Sequence, residues 1–223
     1  MEILLKNLLI ETLEQCNSRN IPTCLGYGTL LGFIRNGKII AYDDDIDILV
    51  HRKYRFKLEK VSRELKQTKS ALRMFPRKNM IRLVYRDPAT RQVVCGDIFY
   101  YNKQDSESGP VALITQENES FPWNYISPIK TANMYGINTN IPNDSHAWLE
   151  LQYGQDYMTP KKSNKGRMST MYHIKQGLRH PLECISLYWK QYCLKYPHLG
   201  ISMIAVIICV AIAIKVIITR KKL

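Results

Sequence analysis

Apolar residues at Ile3, Leu4, Leu5, Leu8, Leu9, Leu13 and Cys16 recur at helical spacing, so the chain opens with an amphipathic helix expected to end between Asn17 and Asn20. After Pro22, Thr23-Cys24-Leu25 reads as a short strand. The glycine-punctuated run Gly26-Tyr27-Gly28-Thr29-Leu30-Leu31-Gly32 reads as a tight turn feeding a short helix that Asn36-Gly37 closes. From Tyr42 to Val50 the second half alternates acid and aliphatic, the period of a strand. Tyr54, Leu58, Val61 and Leu65 mark one face of a helix whose other face is largely Lys and Arg. Met80 to Tyr85 and Val93 to Tyr101 read as two strands joined by the turn Asp87-Pro88-Ala89-Thr90. Between 102 and 140 the pattern fades. Asn143 or Asp144 then caps a helix that runs through Tyr153 and stops at Gly154, before a basic loop over 160–165.

The longest apolar run lies near the C-terminus. Leu199 to Ile218 contains one charge, Lys215, and about 20 helical residues cross a bilayer core. Tyr188, Trp189, Tyr192 and Tyr196 precede it as an interfacial aromatic belt, and Arg220, Lys221 and Lys222 follow it. The expected organisation is a catalytic domain over 1–165, a basic and aromatic juxtamembrane helix over 166–198, a transmembrane helix over 199–218 and a basic tail over 219–223. Glu2, Glu11 and Glu14 interrupt the first apolar segment, so no signal peptide is expected and the domain is expected on the cytosolic side of a single-pass C-terminal anchor, with the lumenal side, where the sequons at Asn118 and Asn143 would be used, as the alternative.

A length of 223 residues accommodates one ordinary domain plus such an appendage. The six cysteines are scattered without a CxxC pair, which argues against a zinc site or a disulfide scaffold. The net charge of +13 favours anionic partners without naming one. From His51 to Arg91, fourteen Lys or Arg stand against Glu59, Glu64 and Asp87, a solvated face or one attracted to phosphate or membrane.

Candidate chemistry centres on acids. Asp43, Asp44, Asp45 and Asp47 crowd four carboxylates into five positions, and a divalent cation is the natural relief for their repulsion. Side chains at i and i+2 of a strand share a face, so Asp45 and Asp47 project together while Ile46 and Ile48 turn to the core. Two ions held there would serve the attacking and leaving oxygens of an in-line displacement. Asp97 is the lone charge in the apolar run Val93 to Phe99. If its strand neighbours the first, it completes the metal site or accepts the proton of an incoming hydroxyl. A surface loop or a calcium site is the alternative reading of the acidic run. Gly28-Thr29 offers backbone amides and a hydroxyl to phosphate at a helix start, with Arg35 and Lys38 as neutralising cations.

The run from Gly28 to Ile48, GTLLGFIRNGKIIAYDDDIDI, closely resembles the signature of the LicD family, which includes fukutin and fukutin-related protein. Asp97 resembles that family's later aspartate, and Tyr153-Gly154-Gln155-Asp156-Tyr157 is similar to its closing YG-x-D-Y motif. Tyr42 stands where the family usually has tryptophan. The resemblance implies an α+β, nucleotidyltransferase-like mixed β-sheet flanked by helices. It implies transfer of a phospho-alcohol (phosphocholine, ribitol phosphate or similar) from a CDP-linked donor to a glycan or glycolipid hydroxyl. It also implies Mg²⁺ or Mn²⁺ on Asp45 and Asp47 with Asp43 in support, Asp97 as third ligand or base, Gly28 and Thr29 on the donor phosphates, and Arg35 on the loop or diphosphate. Nucleic acid is not the expected partner. The alternatives are a nucleotidyltransferase adding a nucleoside monophosphate to a protein, sugar phosphate or RNA, and a non-catalytic membrane-tethered binding protein.

Overall fold

A computed structural model describes residues 1–107, 109–114, 117 and 119–160; the predicted juxtamembrane helix, transmembrane segment and basic tail lie outside them. Met1–Pro160 forms one compact unit. Among the described residues, no helix is long and apolar enough to cross a membrane.

The opening helix α1 (Glu2–Asn17) buries the leucine stripe that its periodicity announces. β1 (Thr23–Leu25) and α2 (Tyr27–Asn36) follow, with Gly26 as the α2 N-cap. Gly28 and Thr29 therefore sit in the first helical turn, one step later than the sequence suggests. β2 (Asp47–His51), a 3-10 turn (Arg52–Tyr54) and α3 (Arg55–Lys66) come next. Then β3 (Leu72–Pro76), β4 (Met80–Arg86) and β5 (Val93–Ser106) run as a meander. The β4–β5 turn is fixed by the Asp87 carboxylate, whose Oδ1 accepts from the backbone amides of Ala89 and Thr90.

The weakly patterned stretch holds β6 (Gly109–Ile114), β7 (Glu119–Pro122), the one-turn α4 (Trp123–Ile126) and the hairpin β8 (Lys130–Met134) with β9 (Ile137–Ile141). α5 (Ser145–Tyr153) closes the unit, N-capped by Asp144 as predicted and ended at Gly154.

The main sheet is ordered β1-β2-β5-β4-β3, with β6 on the distal half of β5 and β7 on β6. It is mixed: β2 and β5 run parallel, whereas the other pairings are antiparallel. The parallel pairing of two strands fifty positions apart puts Asp47 beside Asp97, and the β4 register puts Arg82 on the far side of Asp97. Residues directly opposite in a sheet share a face, so Asp47, Asp97 and Arg82 form one row. The next row, Ile48, Ile98 and Ile81, is fully buried on the other face.

Candidate active site

The acidic segment enters the sheet more gradually than expected. Regular strand begins at Asp47, and Asp43 to Ile46 form a lead-in outside regular secondary structure. The ladder still reaches back one step, because the Asp97 amide donates to the Ile46 carbonyl at 2.8 Å. Burial alternates as predicted, with Ile46 and Ile48 buried and Asp45 and Asp47 partly exposed.

A turn wraps Asp47. Gly26 N–H donates to its carbonyl at 3.1 Å, Thr29 Oγ1 accepts its amide at 2.8 Å, and Gly28 N–H donates to its carboxylate. Gly28 also lies so close to Asp43 that a Cβ there would meet Asp43 Oδ2 at 2.7 Å. Gly28 and Thr29, expected on a phosphate, thus contact the acids themselves, and Thr29 is only 1% exposed. Their place in the fold is to hold Asp47 still. Thr29→Val keeps the shape and leaves the Asp47 amide without its acceptor, which should cost about 1–3 kcal/mol. Urea denaturation and amide exchange at Asp47 check this; exchange as slow as in the parent contradicts it.

Arg35 is likewise placed on protein atoms. Its Nη2 donates to the carbonyls of Tyr157 and Thr159, which ties α2 to the segment after α5.

The acids repel one another. Carboxylate oxygens of Asp43, Asp44 and Asp45 lie within 4.8 Å of each other. Burial, then the charges of Asp45, Asp97 and Asp43, push the Asp47 carboxyl well above the usual range. Burial likewise pushes Asp97 up to about 7, with Arg82 opposing and Asp45 and Glu117 adding to the shift. Arg82 Nε stands 3.0 Å from Asp97 Oδ1, yet that buried oxygen receives no hydrogen bond. An all-oxygen set with mutual repulsion fits a hard divalent cation. Arg82→Met removes the one cation that opposes the rise, so the Asp97 carboxyl should titrate above about 7, read by ¹³C NMR of the side chain. An unchanged titration would place Arg82 outside the site.

Further residues complete the surroundings. Tyr27 adopts φ +41°, a strained conformation for a bulky residue, directly before the glycine that holds Asp47. Its ring packs edge-on against Phe99 and Trp148, and its hydroxyl donates to Glu119 Oε2 at 2.9 Å. Gln152 Nε2 reaches the other Glu119 oxygen at 3.4 Å. Tyr153, from the closing motif, has its phenol raised by burial and then by the charges of Asp47 and Asp43. Of these, only Tyr153 sat in a recognisable motif. For Arg82 the one signal was its place in the alternation of β4, and for Glu119 there was none.

The site is thus a mixed sheet with paired acids on adjacent parallel strands, entered through a glycine-threonine turn. The profile of the LicD/FKTN/FKRP nucleotidyltransferase domain matches residues 20–144, more than half of the chain, and the chain belongs to that family. An uncharacterized protein of Rickettsia typhi is 27% identical over 154 residues, which cover 67% of this chain and 45% of that relative. The chain thus spans less than half the length of the relative. The solution structure of the antibiotic-resistance factor ANT(2'')-Ia superposes with a TM-score of 0.43 at 13% identity, covering 89% of this chain and 98% of that one. The crystal structure of ANT(2'')-Ia with adenylyl-2''-tobramycin gives 0.42 at 14% identity, covering 83% and 97%.

Proposed function

We propose that this chain is a divalent-metal-dependent phosphotransferase that moves a phospho-alcohol from a CDP-linked donor to a glycan or glycolipid hydroxyl. The observation that carries the reading is the row Asp47–Asp97 on adjacent parallel strands, with Asp43 and Asp45 close enough to raise the Asp47 carboxyl. Asp45, Asp47 and Asp97, supported by Asp43, would hold Mg²⁺ or Mn²⁺, which when bound neutralises charge on the donor diphosphate.

The chain's own groups do the rest. The Gly26–Thr29 turn fixes Asp47, and Arg82 holds Asp97 from the opposite strand. Asp97 would be either the third ligand or, where it stays off the ion, the base that takes the proton of the acceptor hydroxyl. The hydroxyl oxygen then bonds to the phosphorus of the phospho-alcohol as the bond to CMP breaks, and CMP leaves with the electron pair. Positioning supplies most of the rate, as phosphoryl-type transfer requires. The apolar segment over 199–218 would keep this chemistry beside a membrane, where a glycolipid acceptor resides.

Incubation with CDP-choline, CDP-ribitol or CDP-glycerol, Mn²⁺ and glycan or glycolipid acceptors should release CMP from one donor. No CMP from any of them overturns the proposal. Nucleotide label recovered on the acceptor instead would assign the alternative, transfer of a nucleoside monophosphate.

A further inference from the structure

Tyr27 stands between two glycines and itself adopts φ +41°, a conformation that glycine takes without cost and a bulky residue takes only when its surroundings hold it there. The side chain therefore has a use that a third glycine could not serve. We propose that Tyr27, with its partner Glu119, is a positioning residue of the acidic seat: the bond between them keeps the Gly26–Thr29 turn in the shape that aims its groups at Asp47. The inference rests on the reading of Asp47 as a metal ligand.

Two elements enclose the side chain, each with a pair of residues on one face. On α5, Trp148 and Gln152 lie one turn apart and project together. On β7, Glu119 and Phe121 are two residues apart and share a face. The Tyr27 ring meets Trp148 edge-on with centroids 5.4 Å apart, and Phe121 backs Trp148 at 5.2 Å. The Tyr27 hydroxyl donates to Glu119 Oε2 at 2.9 Å, and Gln152 Nε2 backs the other Glu119 oxygen at 3.4 Å. The third wall is Phe99, 5.4 Å away and on the same face of β5 as Asp97. Ring and hydroxyl are each gripped by a residue that has its own support.

The turn cannot relax while both ends of this side chain are held. Gly26 N–H donates to the Asp47 carbonyl at 3.1 Å, Gly28 N–H donates to its carboxylate, and Thr29 Oγ1 accepts its amide at 2.8 Å. Tyr27 lies between the first two of these contacts. A rotation of its backbone toward the ordinary negative φ would swing the Gly28 amide relative to Gly26 and withdraw it from the carboxylate. Small hard cations demand near-ideal geometry of their oxygen ligands, so a seat for one tolerates little such movement. Tyr27 and Glu119 thus act on the ion through Gly28 and Asp47, without touching it.

Tyr27→Phe removes one oxygen and keeps the ring, which separates the bond from the packing. In the metal-free full chain, amide exchange at Gly28 should quicken by up to about tenfold, the loss of one ordinary hydrogen bond. The Mn²⁺ dissociation constant, read by calorimetry, should rise several-fold. Glu119→Leu should reproduce both effects, and the double variant should be no worse than either single one, because all three lack the same bond. Glu119→Gln, whose amide oxygen still accepts the phenol proton, should behave as the parent. A role in packing alone predicts another pattern: faster exchange throughout the sheet, a lower urea midpoint and an unmoved Mn²⁺ constant. That pattern overturns the proposal. So does a Gly28 amide that exchanges at the parent's rate in Tyr27→Phe, an additive loss in the double variant, or a Glu119→Gln as impaired as Glu119→Leu. A parent that takes up no Mn²⁺ overturns the metal reading instead, and exchange at Gly28 still decides whether the Tyr27–Glu119 bond holds the turn.

Discussion

Asp47→Asn should abolish turnover, by roughly 10³-fold or more, and at neutral pH leave a domain more stable than its parent. Both outcomes have the same cause. Asp47 is held between the Gly28 amide and three other carboxylates, and burial together with those charges raises its carboxyl well above the ordinary range. A carboxyl with a raised folded pKa binds more protons in the folded state than in the unfolded one, so stability falls as pH rises through the window between the two values. For Asp97, raised from 3.8 to about 7, that window runs from about pH 4 to about pH 7 and is worth on the order of 4 kcal/mol.

Asparagine keeps an oxygen for the Gly28 amide and carries no charge, so the variant should lose its part of this slope. It also removes one oxygen donor from the cation seat. Mn²⁺ should therefore raise the parent's melting temperature at about pH 7.5, much less at about pH 5 where Asp97 is protonated, and barely move the variant at either pH. Melting curves at the two pH values, with and without Mn²⁺, read every arm. A variant that turns over at the parent's rate, or melts below it at neutral pH, would remove Asp47 from the proposed site.

Gly96→Ala should be severely destabilising, costing about 3 kcal/mol or more. A Cβ at this position would lie 2.4 Å from Ile46 Cγ1 and 2.7 Å from the Ile46 carbonyl oxygen. That oxygen accepts the Asp97 amide, the bond that starts the β2–β5 ladder. The clash thus falls on the contact that brings the two acidic strands together. Truncating the neighbour with Ile46→Ala removes the side-chain collision but leaves the carbonyl, so rescue should be partial at most. A single mutant that unfolds in urea at the parental midpoint would show that the strands do not approach this closely.

The predicted α1, β1, α2 and α5 were legible because each is set by local periodicity, capping and glycine punctuation. The alternation of Asp45, Ile46, Asp47 and Ile48 was legible for the same reason. β3 and β6 to β9 were not: β3, β6 and β7 contain Pro76, Gly109, Pro110 and Pro122, poor strand formers alone, β6 pairs with the distal half of the fourteen-residue β5, and β8 and β9 pair with each other in a separate sheet.

Sequence by itself determined the family and the identity of the acids, since both are carried by short contiguous runs around Gly28 to Ile48 and at Asp97. Only the tertiary structure decided what those groups touch. The β2–β5 register set Asp97 beside Asp47, the β4 register brought Arg82 to Asp97, and the packing of α2 turned Gly28 and Thr29 onto Asp47. Tyr27 and Glu119 meet across 92 positions of chain. The physical reason is that propensity acts within a few residues, whereas the electrostatics of a buried carboxylate is fixed by whichever strands the fold packs beside it.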